Sequence, residues 1–316
     1  MNSNTSQVDL SVIVPVCERT RDTVALYQEY KEYLNSIKEN VEFIFVVGAT
    51  AYGRIGAELE KVNREDEQMS VIVMSRDFGE ATAIKVGISE VNGDLILILP
   101  PYKQVETESL GKLFDGLENS DIALGKRWPR LDGAGNQLQT KAFNFLLRKL
   151  SKQDYTDIGC GIRLVRAEAL SEINLYGDQH RFLPLLAHEV GYSSSEVELP
   201  QAPEDAHSRI YKPWVYFQRL LDLITIIFLT QFNKKPLRFF GLIGSANIII
   251  GMLGLLYLGF ERLFLDTGLA DRPLLVLFSL FFVLGFQLLA IGLVGEIIVF
   301  THAGDKKEYR IRKIVN

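Results

Sequence analysis

The sequence predicts an α/β domain built on a twisted sheet with crossover helices, followed by an interfacial helix and a C-terminal pair of transmembrane helices. Three observations predict it. Short β-branched runs alternate with amphipathic helical stretches from Asp9 to Gly125. Two long apolar runs lie together near the C-terminal end, and a segment of mixed polarity precedes them. The strands expected from the first pattern are Leu10–Val16, Val41–Val47, Ser70–Met74, Leu95–Leu99 and Asp121–Leu124. Leu26, Tyr27, Tyr30, Leu34 and Ile37 recur at helical spacing after the first strand, so a helix starting at Thr20 or Asp22 is expected there. In such sheets ligands bind beyond the carboxyl ends of the strands, and the residues just after each strand are the ones to read for chemistry.

The chain has 316 residues, and its hydrophobic fraction of 47% is concentrated at one end. Phe239–Phe260 is a run of about 22 uncharged residues and Pro273–Phe300 one of about 28, whose only charge is Glu296; about 20 suffice to cross a hydrocarbon core. The alternative, a pair of core helices in a soluble protein, fits poorly because neither run has a polar face. Lys234, Lys235 and Arg238 precede the first run, and Lys306, Lys307, Arg310, Arg312 and Lys313 follow the second. By the positive-inside rule both flanks are expected inside. Met1–Val8 has no basic or apolar region of a signal peptide. The expectation is a multi-pass protein of the inner, cytoplasmic membrane with its large domain and both termini in the cytoplasm.

The expected boundaries are a polar tail over 1–8, the α/β domain over 9–210, a juxtamembrane amphipathic helix over 211–235, the two-helix transmembrane domain over 236–302 and a basic tail over 303–316. Arg219 and Asp222 interrupt the juxtamembrane segment and favour a helix along the membrane surface over a third span. Gly241, Gly244, Gly251 and Gly254 offer small surfaces for helix contact, and Glu296 reads as a helix-pairing or snorkelling residue. Cys17 and Cys160 are the only cysteines, which fits a reducing compartment. They form no zinc-type cluster, and His180, His188, His207 and His302 are scattered, so each reads as structural or solvated. A net charge of −5 argues against a nucleic-acid partner.

At the strand ends the chain reads S-V-I-V-P-V-C-E-R, F-I-F-V-V-G-A-T, S-R-D-F-G-E-A-T-A-I-K-V-G and G-D-L-I-L-I-L-P-P-Y-K-Q-V-E. Further blocks follow: G-K-R-W-P-R at Gly125–Arg130, D-I-G-C-G-I-R-L at Asp157–Leu164, R-F-L-P-L-L at Arg181–Leu186, S-R at Ser208 and Arg209, P-L-R-F-F-G-L-I-G at Pro236–Gly244 and G-L-V-G-E-I at Gly292–Ile297. Joined in this order, they resemble the family 2 glycosyltransferases. The branch resembled moves a sugar from a nucleotide donor to a polyprenyl or dolichyl phosphate. The resemblance spans nearly the whole chain and implies a GT-A (Rossmann-like) mixed-sheet domain, with a nucleotide sugar, a polyprenyl phosphate and membrane lipid as partners. It also implies a homo-oligomer or a complex with other glycan-assembly proteins.

The chain departs from the family pattern at three strand ends. Where the family has V-D-D-G-S, with carboxylates that hold the nucleotide, it has Val46, Val47, Gly48, Ala49 and Thr50. Where the family has D-A-D-L-Q, with aspartates on a divalent ion, it has Pro100, Pro101, Tyr102, Lys103 and Gln104. P-x-Y-N-E-E becomes Pro15, Val16, Cys17, Glu18, Arg19 and Thr20. It resembles a variant branch lacking the D-x-D metal motif. Magnesium or manganese is expected for the family, but the usual ligands are missing and only Gln104 and Glu106 remain as weak candidates; the cofactor is left open.

The resemblance implies site roles as follows. Arg127, Asp157 and Lys103 are the expected catalytic residues, Lys103 standing where a cation could compensate for the missing metal. Pro15, Cys17, Glu18, Val47, Ser75, Arg76, Gly79 and Gln104 are expected at the nucleotide sugar, and Arg130, Arg163, Ser208, Arg209 and Lys212 at the lipid phosphate, since a guanidinium forks onto phosphate oxygens. On the residues alone, Arg127 or Arg163 could instead be an ion pair with Asp132 or Asp157, and Glu106 and Glu108 could simply be first-turn helix acids. The expected activity is a polyprenyl-phosphate glycosyltransferase of hexosyltransferase class; the alternative is an inactive homologue that binds lipid phosphate or a partner and scaffolds glycan assembly. Two helices make a poor transport pathway.

Overall fold

A computed structural model describes residues 8–17, 23–131, 155–173, 179–207, 235–264 and 272–302, with Asn144, Arg148, Leu221, Thr225 and Gly268. The chain divides into two compact units, the first reaching Ile226 and the second starting at Ile227.

In the first unit, β1 (Leu10–Val16), β2 (Val41–Val47), β3 (Met69–Val73) and β4 (Leu95–Ile98) are parallel. They are joined by α1 (Thr23–Ile37), α2 (Ala49–Glu65) and α3 (Glu80–Ile88). After α4 (Lys112–Gly116) come β5 (Ile122–Arg127), β6 (Arg163–Arg166), α5 (Ala167–Glu172), α6 (Leu183–Val190), β7 (Ser194–Leu199) and α7 (Pro203–His207). The seven-stranded sheet runs β3-β2-β1-β4-β6-β5-β7. β6 is antiparallel to both β4 and β5, and β7 is parallel to β5, so the sheet is mixed.

Burial explains the central strands. All seven β1 positions are buried, as a near-continuous apolar run between two neighbours requires. Its one polar residue, Ser11, accepts the Gly93 N–H at 2.9 Å and donates to Glu42. The face of α1 expected from its periodicity packs inward, with Tyr27 edge-on to Phe43 and Phe45 at 5.0 and 5.6 Å. Ile37, expected on that face, is 38% exposed at the last turn. The observed strand limits shift by up to three residues from the expected ones; β5 extends to Arg127 because β7 pairs it through Leu199.

The order of the sheet turns back between β1 and β4. Chain order rises from β1 to β3 on one side and resumes with β4 on the other. This is the switch point at which open α/β sheets bind ligands, and the strand-end residues named above surround it.

The second unit is a helical hairpin of α8 (Pro236–Phe264) and α9 (Pro273–His302). Their 29 and 30 residues correspond to about 43–45 Å at 1.5 Å per residue, more than a bilayer's hydrocarbon core. Mean hydropathies of 2.0 and 2.7 make both apolar enough to cross a membrane. Gly244 faces Gly285: a β-carbon on either would fall 2.7 or 2.6 Å from the other's carbonyl oxygen, so the backbones meet directly. Glu296 takes the pairing role, its Oε2 accepting the Leu237 N–H at the start of α8 at 3.3 Å. Most of the expected 211–235 helix lies outside the described residues.

Candidate active site at the strand ends

The densest polar cluster is built on Arg127, the last residue of β5. Asp157 accepts its Nε at 2.7 Å, its Nη2 at 2.6 Å and its backbone N–H at 3.1 Å. Asp205 on α7 accepts Nη1 at 3.1 Å and is itself held by Gln201 Nε2 at 2.8 Å. Arg130 adds a contact to Asp157 at 3.2 Å. Side chains of Arg127 and Asp157 are 1% and 3% exposed. Burial opposes the charge on Arg127, but the Asp157 and Asp205 carboxylates hold it firmly protonated. Burial likewise resists ionisation of Asp157, and the two guanidinium groups keep its carboxyl below the ordinary range. Of the two pairings open to Arg127 in the sequence, the Asp157 one forms; Asp132 lies outside the described residues. As the cluster stands, Arg130, with 12% of its side chain exposed, is its member nearest solvent.

The loop after β4 is closed upon the protein. Gln104 is buried; its Oε1 accepts the Gly161 N–H at 2.8 Å and its Nε2 donates to Tyr102 Oη at 2.7 Å. Lys103 binds Glu29 of α1 at 2.7 Å and Glu106 at 3.4 Å. Burial works against the Lys103 charge, but the two carboxylates raise its pKa; Glu29, held by Lys103 and Thr107 against its own burial, is lowered. These residues do not fit a divalent ion. Pro100 and Pro101 bring no side-chain donor, the Gln104 carbonyl and Tyr102 hydroxyl are bonded, and an ammonium stands with Glu106. No cluster of three His, Cys, Asp or Glu able to hold a metal occurs among the described residues.

At the other strand ends, Pro15 and Val47 are buried in the sheet and Cys17 is half-buried just past β1. Ser75, Arg76 and Gly79 lie exposed in the loop from β3 to α3, with Arg76 stacked on Phe78 at 4.5 Å and Gly79 at φ 87° before α3. Sequence reasoning missed Asp77 of this loop. It reaches back to the end of β2, accepting the Thr50 N–H at 3.2 Å and the Thr50 hydroxyl. The signal that could have found it is Gly48, whose missing side chain leaves the space its carboxylate fills.

Arg163, expected at lipid phosphate, is buried at the start of β6. It donates to the carbonyls of His180 and Arg181, the latter at 3.2 Å, and burial pushes its guanidinium down to about 10. Burial pushes the Cys160 thiol up to about 11, so at neutral pH it is a packed thiol and no nucleophile. His180 contacts Glu80 at 3.3 Å. Glu18, Ser208, Arg209 and Lys212 lie outside the described residues.

Comparison with known proteins fits this architecture. Over 99% of its length the chain is 25% identical to the dodecaprenyl-phosphate galacturonate synthase of Rhizobium johnstonii, covering 95% of that protein. It is 24% identical to the undecaprenyl-phosphate 4-deoxy-4-formamido-L-arabinose transferase of Photorhabdus laumondii, over 97% of this chain and 94% of the relative. Among solved structures, glucosyl-3-phosphoglycerate synthase of Mycobacterium tuberculosis, in complex with Mg2+ and UDP, superposes with a TM-score of 0.51. That match covers 70% of this chain and 78% of the other at 12% identity, and it shows a shared fold. The profile described as glycosyl transferase family 2 matches residues 11–173, and the chain belongs to that family.

Proposed function

We propose that the protein transfers a sugar from a nucleotide donor to a polyprenyl phosphate at the cytoplasmic face of a membrane. One observation carries the reading: relatives named for this kind of transfer match the chain end to end, through the sheet and through both apolar helices. The alternative of an inactive homologue finds no support, since the relatives above are named as synthases and transferases. Lys235 and Arg238 at the start of α8 favour an inward-facing end there.

In the transfer, an acceptor phosphate oxygen bonds to the anomeric carbon as the bond from that carbon to the donor diphosphate breaks, and the nucleoside diphosphate leaves. The acceptor is already anionic at neutral pH, so no base is needed at the attacking atom. The main demand is to hold the charge of the departing diphosphate. In this reading Arg127 and Asp157 are positioning residues: closed to solvent, they fix the Asp157 loop and orient Arg130 toward the acceptor. Lys103 serves the diphosphate by exchanging Glu29 or Glu106 for it. Pro15, Cys17, Glu18, Val47, Ser75, Arg76, Gly79 and Gln104 shape the donor side. Ser208, Arg209 and Lys212 contact the lipid phosphate with Arg130, while Arg163 supports them by holding the turn at His180. A homo-oligomer or a glycan-assembly complex is part of the same proposal.

The test incubates the purified full-length protein in detergent with undecaprenyl phosphate and a panel of nucleotide sugars, and analyses the lipid fraction by mass spectrometry. A lipid-linked sugar from one donor is expected; none from any donor, with or without added Mg2+ or Mn2+, refutes the reading.

A further inference from the structure

A carboxylate stands at the carboxyl end of β2 although Phe43–Val47 and the turn after them, Gly48–Thr50, contain none; Glu42, near the opposite end of the strand, bonds Ser11. Val47 is followed by Gly48, Ala49 and Thr50, and Gly48 N–H donates to Val16 O at 2.9 Å, which sets residue 48 level with the end of β1. A β-carbon built on Gly48 would collide with Asp77 Oδ1. The carboxylate therefore occupies the volume that a side chain rooted in β2 would take, but it is delivered from the loop after β3. Two departures from a plain strand end fit each other: a glycine that vacates the space and an aspartate that enters it.

Asp77 is exposed, as are its neighbours Arg76 and Phe78. The Arg76 guanidinium lies over the Phe78 ring at 4.5 Å, and Phe78 is 43% exposed. A stacked guanidinium and aromatic pair is a surface on which a flat ring can lie. Beside it, Asp77 offers acceptor atoms only. Thr50 uses one site on each oxygen, and a carboxylate has about four lone-pair sites, so acceptor capacity remains. Together they make a platform and an acceptor at the carboxyl edge of a parallel sheet, where nucleotides bind.

We infer that Asp77 is the residue that reads the nucleobase of the donor, with Arg76 and Phe78 as the stacking surface. An acceptor-only group selects bases with a ring N–H on the pairing edge: uracil through N3–H, or guanine through N1–H and its amino group. It disfavours cytosine and adenine, whose ring nitrogen at that place is itself an acceptor. The inference rests on the nucleotide-sugar donor of the proposed function and narrows it to uridine or guanosine nucleotides.

The test is calorimetric titration of the full-length protein in detergent with UDP, GDP, CDP and ADP. The wild type is expected to bind UDP or GDP at least about tenfold more tightly than CDP and ADP, the scale of one good charge-assisted base contact. Asp77→Asn keeps the shape and the acceptor for Thr50 N–H, and should shrink that ratio to about twofold or less. Gly48→Ala, which drives the carboxylate out of its place, should shrink it the same way; if that variant does not fold, Asp77→Asn decides. An Asp77→Asn protein that weakens all four nucleotides equally, or leaves the ratio unchanged, marks Asp77 as a cap of α2 and overturns the inference. So does a wild type that prefers CDP or ADP. A wild type that binds none of the four overturns the proposed function itself.

Discussion

Asp157→Asn should cost the α/β unit about 3 kcal/mol, because it leaves the Arg127 guanidinium buried beside a side chain that no longer carries charge. Asp157 accepts four bonds, from Nε, Nη2 and the backbone N–H of Arg127 and from Arg130 Nη1. The asparagine amide can accept at one atom only and turns N–H donors against a guanidinium. Removing one partner of a buried pair costs about 3–5 kcal/mol, and the low end applies here because Asp205 at 3.1 Å still faces Arg127. In a unit of this size the loss lowers Tm by about 6–12 °C. Thermal unfolding of the full-length protein in detergent, followed by near-ultraviolet circular dichroism, measures it. Asp205→Asn should cost less, about 1–2 kcal/mol, since Asp157 still faces Arg127 at 2.6 Å when Nη1 and Gln201 Nε2 lose their charged acceptor. The double variant should exceed the sum of the two by about 2 kcal/mol, because only then is Arg127 left with no counter-charge. The pH dependence has a definite sign. Asp157 is lowered from 3.8 in the folded state, so its contribution is complete above that value and is lost as pH falls through the lowered one; the gap between wild type and Asp157→Asn closes in acid. Additivity of the two variants within about 0.5 kcal/mol would refute the shared-charge reasoning.

Lys103→Met should cost only about 0.5–1 kcal/mol, because the Glu29 pair is 22% and 40% exposed and solvent screens it. Lys103 is raised from 10.5 and Glu29 lowered from 4.5, so the difference in unfolding midpoint should be flat between those values and vanish beyond them in acid and in base. EDTA should change nucleoside diphosphate affinity, measured by calorimetry, by less than about threefold, since no carboxylate of the β4 loop is disposed for a metal; tightening of tenfold or more on adding Mg2+ contradicts this. Gly244→Val should weaken the α8–α9 hairpin by about 1–3 kcal/mol in an SDS unfolding titration, its side chain meeting the Gly285 carbonyl. Gly259→Ala, with nothing within 4 Å of the new carbon, is the control and should be neutral.

The first four strands were legible because buried parallel strands are written as uninterrupted β-branched runs, and α8 and α9 because their apolar length has few other meanings. β6 was not, since R-L-V-R owes its place to pairing with β4 and β5 and not to its own pattern. Nor was α2, whose A-T-A-Y-G-R-I-G start carries two glycines and no acid in its first turn. At the site, the motif order pointed to Arg127, Asp157 and Gln104, but their partners are distant in the chain. Asp205 is 78 residues from Arg127, Gly161 is 57 from Gln104 and Glu29 is 74 from Lys103. A single sequence holds no signal linking such positions. Hence Lys103 read as an available cation, whereas the fold supplies it with two carboxylates, and Arg163 read as a phosphate ligand, whereas burial turns it onto backbone carbonyls.

The altered β4 loop bears on whether this strand end is eroded or rebuilt. Two aspartates held together at a strand end repel unless a cation lies between them, so losing them relieves a repulsion but leaves the surrounding polar groups in need of partners. Random loss would leave those groups unsatisfied, at about 1–3 kcal/mol each. Instead Gln104 bonds Gly161 and Tyr102, its backbone carbonyl accepts the Ala202 N–H at 3.0 Å, and Glu106 N–H donates to Pro200 O at 3.0 Å. The loop is therefore a closed brace between the β4 end, the Asp157 to Gly161 segment and the residues entering α7. Those same residues anchor Asp157 and Asp205 on Arg127. What the family places on a metal is here a rigid scaffold for the arginine cluster, and a reinstated acidic pair, Pro100→Asp with Tyr102→Asp, should loosen that brace and lower Tm before it gains any ion.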